Sequence, residues 1–545
     1  MHVLAYDLGT TGVKTCLYEI DSQVTQVAEA SASYPLTVLP HGGAEQNPDD
    51  WWAAMVATTH ELAAAHPTIV TDLAGISFCA QMQAMVLVDA SARPVHPAFS
   101  YMDQRATEEM STIGGGFPKI AGLGAKKLLT ALKLTGAAPA SVKDPVWKYH
   151  WLRIHEPEEF ARGYKWLDAK EALIARMTGE FVMSEDSAFA TMLYDIHSGP
   201  GGTNSAETPS RFHPDILTLF QVNPNHMPRI VASTDVVGPL REQQAAELGL
   251  PAGIPVYAGG GDASLIPIGA GAAAPGDTHA YWGTSGWVGT VTTKQTVDLA
   301  HNIAAIVGAE PGLYTFFAEL ETAGKCFEWV KEHLAEDEVN IYLDKRNIAD
   351  STETAYDSLY DYLSEVISHS APGAGGVIFT PWLHGNRMPF EDPLARASFF
   401  NISLDTGKTE LLRAVLEGVC YHLRWFTEIS AKKSGVGVSN RVRFVGGGAL
   451  SPVTSQILSD VLGKPIDVPA DPKDIGAVGA ALLVAVGEGL IPDLAHANEL
   501  VPVAASYEPN PQTKAIYDRQ YQAFTKLYKQ NKSLFKLLNA TGRSE

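Results

Sequence analysis

The 545-residue chain has only four cysteines, Cys16, Cys79, Cys326 and Cys420, and they lie far apart. There is no CxxC pair and no Cys/His group at zinc spacing, which excludes a disulfide framework and a structural zinc site and leaves four reduced, mostly buried thiols as the expectation. Long apolar runs are missing too. No stretch reaches the ~18 consecutive apolar residues of a membrane span, and the glycine-rich segment 476–487 is too short. The opening residues MHVLAYDLGTTG lack a basic region followed by an apolar core, so cytoplasmic residence is expected. Positive charge is scarce: 40 Lys and Arg stand against 61 Asp and Glu, a formal net charge of -21. A surface this acidic repels nucleic acid and anionic membranes, so neither is an expected partner. Nucleotide phosphate is not excluded, because backbone N–H groups and a divalent cation hold it without a basic field.

What the chain does have is core. Hydrophobic residues make up 46%, with ten Trp, nineteen Tyr and nineteen Phe, the composition of a packed globular enzyme. Its length exceeds what one core organises, so two large domains are expected. The first eighteen residues read as a strand, a turn over Asp7-Leu8-Gly9-Thr10-Thr11-Gly12, and a second strand. Another apolar strand pair is read between Leu73 and Asp89, where the polar Gln81 and Gln83 suggest a face turned toward a cavity. A helical insertion is expected over 111–145, a surface loop over Ser198 to Ser210, and a charged helical stretch from Thr322 to Asp361. A boundary is placed near Gly269 to Gly276, giving domains 1–269 and 270–545. Just past it the opening pattern recurs: strand, Gly283-Thr284-Ser285-Gly286, strand. A third glycine turn, Gly446-Gly447-Gly448, precedes a helix from Pro452. The aromatic residues of 513–538 mark a helix docked on the protein body.

Phosphoryl transfer requires backbone donors around the phosphates, a carboxylate to organise Mg²⁺, and a group that takes the nucleophile's proton. Gly9, Thr10 and Thr11 form one candidate phosphate turn and Gly283, Thr284 and Ser285 a second, with Asp7 facing the metal through water. Taken alone, the first turn is equally an ordinary hairpin tip; its recurrence favours a paired clasp. Gly447 and Gly448, lacking Cβ, could admit the adenosine, or could serve only a tight strand-to-helix turn. Asp262, after Gly259-Gly260-Gly261, is placed to accept a hydroxyl proton at a closing cleft. It would serve equally as a cap for the following helix. Competing motifs fail. Gly407-Lys408-Thr409 ends a Walker-like pattern whose first position is Ile402, the GxGxxA at Gly269 follows Pro267 outside any βαβ unit, and neither HExxH nor GxSxG occurs.

In this order, DLGTTGVK (7–14), GGGDAS (259–264), GTSG (283–286), RAVLEGV (413–419) and VGGGALS (445–451) resemble the FGGY carbohydrate kinases across nearly the whole chain. The resemblance implies an α/β fold of two actin-like, ribonuclease H-like domains, with ATP in the cleft and the sugar deeper inside. It also implies Asp262 as catalytic base, Asp7 near Mg²⁺, the two hydroxyl-tipped turns around the phosphates, and Gly447 and Gly448 beside the adenosine. The chain looks most like the xylulokinase branch, whose GQMHG stands here as Ala80-Gln81-Met82-Gln83-Ala84. Gln81, Met82, Gln83, Tyr101, Asp103 and Asp262 are the implied sugar contacts. Gln83 replaces a histidine and cannot titrate; Tyr101 stands where Trp is usual, and Asn401 where Gly is frequent. The expected activity is ATP-dependent phosphorylation of a pentulose such as D-xylulose. The alternatives are another polyol, ketose or aldonate, or an actin- or Hsp70-like ATPase. A homodimer stays open.

Overall fold

The structure, a computed structural model, describes residues 1–120, 122–199, 209–298, 300–334 and 359–540. Most of the expected loop at Ser198 to Ser210 and the middle of the charged stretch after Thr322 lie outside the described residues. At the ends of that stretch are helices Gly324–Leu334 and Leu359–Ser368.

Two mixed sheets form the scaffold. The first contains β1 (His2–Leu8), β2 (Gly12–Ile20), β3 (Val24–Ser33), β4 (Leu73–Ala80), β5 (Val236–Pro239), β6 (Pro255–Tyr257) and β7 (Gly260–Gly261). Its order is β5-β6-β4-β1-β2-β3, with β7 also pairing β4. The second contains β8 (Thr278–Trp282), β9 (Gly286–Thr292), β10 (Val297–Asp298), β11 (Ile303–Val307), β12 (Tyr314–Leu320), β13 (Val442–Val445), β14 (Ile466–Pro469) and β15 (Val503–Tyr507), ordered β10-β11-β12-β9-β8-β13-β14-β15. The plan repeats. An antiparallel hairpin (β1–β2, then β8–β9) extends to a third antiparallel strand, and two parallel strands follow on its other side. This is the doubled ribonuclease H-like α/β architecture.

β1 reads as an unbroken apolar run because both of its faces are covered: Val3, Leu4, Ala5 and Tyr6 are fully buried. On one face lies α1 (Pro48–Ala65), which starts where Asn47 accepts from the Asp49 N–H and Pro48 fills the first turn. On the other lies a helix from the far end of the chain. Here α2 (Ala169–Thr178), α3 (Asp262–Gly269), α4 (Lys408–Lys433), α5 (Pro452–Leu462), α6 (Ile475–Gly487) and α7 (Lys514–Asn539) are the remaining helices that matter. α6 packs its alanines against Val3, Ala5, Leu265 and Ile268. Its crossing with α3 is close enough that a Cβ on Gly269 would sit 1.9 Å from the Ile475 carbonyl oxygen. Small residues therefore let the second half of the chain seat a helix on the first sheet.

One expectation needs correction. Leu73–Ala80 and Val86–Val88 are both strands, but they do not pair. β4 lies between β1 and β6, whereas Val86–Val88 joins Lys165–Leu167 in a separate ladder. The chain leaves the sheet at Gln81, where Gln83 adopts φ 64° and Asp168 accepts from the Gln83 and Ala84 amides. The four thiols are free and buried. The aromatic face of α7 is docked as expected, with Tyr517, Tyr521, Phe524 and Phe535 buried. Among the described residues no helix is long and apolar enough to cross a membrane.

Candidate active site

Parallel pairing brings three strand ends together. Cys79 of β4 lies opposite Asp7 of β1 on one side and Gly260 of β7 on the other. The residues leaving these strands, Leu8 to Thr11, Gln81 to Gln83 and Asp262, therefore emerge side by side, where open α/β sheets bind ligands. Met82 crosses onto the backbone just before Asp262: a Cβ on Gly261 would lie 2.3 Å from its sulfur.

Each hairpin turn is held from behind. In the first, the Gly9 carbonyl accepts from Tyr34 Oη at 2.5 Å, Thr10 from Gln46 Nε2 at 2.7 Å and Thr11 from the Tyr34 N–H at 3.0 Å. In the second, the Gly283 carbonyl accepts from the Gly324 N–H at 2.9 Å, and Thr284 from the N–H groups of Ala323 and Lys325 at 3.1 and 3.2 Å. With the carbonyls fixed rearward, the N–H groups of Thr10, Thr11, Thr284 and Ser285 find no acceptor among the described residues. Such concave runs of free amides bind anions. Thr11 and Thr284 are exposed at the two tips.

At the third turn, Gly446 adopts φ 90° under the Trp282 carbonyl, and Gly448 lies against the Trp282 ring. A Cβ on Gly447 would meet nothing within 4 Å. Space for a flat group thus opens at Gly447.

Asp262 is the first residue of α3, one place past the N-cap Gly261. One oxygen accepts from the Ala263 N–H at 2.7 Å, and the other has no donor among the described residues. Burial pushes the carboxyl up to about 7, helped by the charges of Asp7, Glu319 and Asp186, although the side chain keeps partial solvent access. That value suits a base working near neutrality. Asp7 is also raised by burial, against the opposing pull of Lys14, whose ammonium pairs with Asp474 at the start of α6.

A buried polar framework, which sequence reasoning missed, holds these loops. Asp186 accepts from the Gly261 N–H at 2.7 Å and from Ser184 Oγ, which also receives Lys170 Nζ at 2.7 Å. Asp168 receives the amides of Gln83 and Ala84 at 2.9 and 3.0 Å. Lys148, fully buried and pushed down to about 8 by desolvation, donates to the carbonyls of Gln83 at 3.0 Å and Ser100 at 2.8 Å. No sequence pattern marks Asp168 or Asp186. Their partners are backbone amides tens of residues away.

Of the expected sugar contacts, Gln81 is buried, Met82 and Gln83 are partly exposed, and Tyr101 is 39% exposed. Asp103 is fully buried, its oxygens taken by the Ala44 and Arg105 N–H groups and the Arg105 guanidinium. The 413–419 motif is structural: Arg413 pairs with Glu417 at 2.7 Å, and both bond Tyr517 of α7. Asn401 has φ 67°, a conformation where glycine is at ease and Asn is among the few other residues tolerated. A groove of about 1260 Å³ lined by Arg93, Arg176 and Arg241 lies elsewhere and contains none of these residues.

Residues 2–269 match the FGGY family of carbohydrate kinases, N-terminal domain, and residues 280–488 its C-terminal domain. A xylulose kinase of Bacillus subtilis is 27% identical over 536 residues, with 98% of each chain covered. A gluconokinase of the same organism is 25% identical over 511 residues, covering 93% of this chain and 92% of its own. The crystal structure of xylulose kinase from Rhodospirillum rubrum superposes with a TM-score of 0.81 at 25% identity, over 98% of this chain and all of that one.

Proposed function

The chain belongs to the FGGY family of carbohydrate kinases, and from that premise we propose that it passes the γ-phosphoryl group of ATP to a hydroxyl of D-xylulose, with Asp262 as the base. The hydroxyl proton moves to the open oxygen of Asp262. The sugar oxygen bonds to the γ-phosphorus as the bond to the bridging oxygen breaks, and ADP leaves. The amides of Thr10, Thr11, Thr284 and Ser285 hold the phosphates, and Gly447 with Gly448 flanks the adenosine. Gln81, Met82, Gln83 and Tyr101 meet the sugar, and Asp103 steadies the Tyr101 loop through Arg105. Residues 1–269 and 270–545 form the two walls, and ATP supply makes the cytoplasm the working compartment.

Mg²⁺ fits this reading, because the charge of Asp7 raises the affinity of Asp262 for its proton, and two carboxylates that feel each other in this way favour a cation nearby. Asp7 would hold it through water, and the ion supplies neutralisation of phosphate charge when bound. The observation that carries the proposal is the setting of Asp262: an unpartnered oxygen, a carboxyl poised near 7, and a strand end shared with the Gln81 loop. The same acidic setting argues against an aldonate. A sugar carboxylate would face Asp7, Asp262 and Glu319, while Lys14 and Arg387 are already paired with Asp474 and Glu319. The test is ADP release with a panel of pentuloses, hexuloses, tetritols, glycerol and aldonates, with product position read by NMR. D-xylulose is expected to give the highest kcat/KM; preference for gluconate would overturn the substrate assignment.

A further inference from the structure

We infer that Gln46 is a positioning residue that ties the sugar side of the cleft to the first phosphate turn; this rests on the kinase reading above. Gln46 is 2% exposed and Gln81 6%. Gln46 Nε2 donates to the Thr10 carbonyl at 2.7 Å, and its Oε1 accepts from Gln81 Nε2 at 2.8 Å. An amide side chain presents its oxygen or its nitrogen in a given direction, and the partners decide which. Here the decision starts at a backbone atom that cannot reverse. The Thr10 carbonyl only accepts, so Gln46 must turn its NH₂ toward the phosphate turn and its oxygen toward Gln81. Gln81 must then answer with its own NH₂.

Its remaining oxygen is left buried with no donor. Meanwhile the Gln81 backbone is locked to β1, its N–H donating to the Leu8 carbonyl at 2.8 Å, so the side chain cannot swing to another partner without leaving the chain of bonds. The turn thus fixes what the sugar side offers at this point, an acceptor for a hydroxyl. A sugar hydroxyl donating to that oxygen completes the last open link of a line running from ligand through Gln81 and Gln46 to Thr10, whose neighbouring amides are the free donors of the turn. Bonds in such a chain polarise and order one another. Occupancy of the sugar side therefore steadies the Thr10-Thr11 amides, and by reciprocity a held phosphate steadies the acceptor presented to the sugar.

The test is titration calorimetry of ADP with the intact chain, with and without saturating D-xylulose. Sugar turnover by the wild type is measured first, so failure of the kinase reading shows there and is distinct from failure of the relay. Sugar is expected to tighten ADP at least about fivefold in the wild type. Gln46→Met removes both bonds and should bring that factor to about one. Gln46→Glu keeps an acceptor for Gln81 but sets a carboxylate against the Thr10 carbonyl; it should retain sugar affinity within about threefold yet lose the coupling. If Gln46→Met fails to fold, the near-isosteric Gln46→Glu decides alone. A coupling factor within twofold of wild type in Gln46→Glu, or loss of sugar affinity with coupling intact, overturns the inference.

Discussion

On the proposed nucleotide side of the cleft the groups available to a ligand are backbone amides and glycine surfaces, and on the proposed sugar side they are side chains. The two hairpin turns show the first strategy. Their carbonyls are pinned by Tyr34 and Gln46 in one half and by the residues at the start of helix Gly324–Leu334 in the other, leaving the amides forward. At Gln81, Met82, Gln83 and Tyr101 the proposed sugar would meet side chains instead, and their loops are held by the buried Asp168 and Lys148. Backbone recognition of phosphate tolerates the two different supports because any rigid turn of the right shape will serve. Side-chain recognition of hydroxyls ties substrate choice to a few positions, so under this proposal a single replacement such as Gln83 is expected to change preference without changing chemistry.

Asp262, the proposed base, would serve both sides, and its loss should have the largest effect. Asp262→Asn is expected to lower kcat by at least about a thousandfold while ADP affinity stays within a few-fold, read by steady-state kinetics and calorimetry. The same variant should be more heat-stable than the wild type at pH 8. The folded-state carboxyl binds its proton up to about 7, whereas the unfolded one releases it near its ordinary 3.8, so wild-type stability is lost as pH rises through that window. The gain on substitution should vanish toward pH 4.

The nucleotide side is probed at Gly447, where the fold has room for a side chain and the proposed adenosine does not. Gly447→Val should raise the ATP KM about tenfold or more, leave the sugar KM near wild type and keep the melting temperature within a few degrees; an unchanged ATP KM would place the adenosine elsewhere. Asp186→Asn should lower kcat roughly tenfold by loosening the Gly261 anchor. Because it removes a charge that raises the Asp262 carboxyl, it should also shift the acid limb of the rate profile to lower pH. Smallest is Gln83→His, expected to change the D-xylulose KM by a few-fold and leave the ATP KM unchanged.

The backbone side was the legible one. Glycine and threonine at fixed offsets announce a turn in the local sequence, and their recurrence in the second half points to two related halves. Asp262 was legible as a position but not as a state, because its raised proton affinity depends on Asp7, Glu319 and Asp186, which are remote in sequence. The strand pair read over Leu73 to Asp89 went wrong for a related reason: two apolar runs close in sequence look like a hairpin, yet a left-handed Gln83 and the distant Asp168 send them to different sheets. Gln46, Asp168 and Asp186 carried no signal, since a buried polar residue that serves a distant backbone amide looks like any other polar residue in the chain.

The most direct test of the account is the pH dependence of kcat/KM for D-xylulose at saturating ATP and Mg²⁺. Asp262 acts as base only when ionised, so the rate should fall about tenfold per unit below an apparent pKa near 7, and that limb should be absent from the residual activity of Asp262→Asn. A flat profile between pH 5.5 and 8, or the same limb in both proteins, would contradict it.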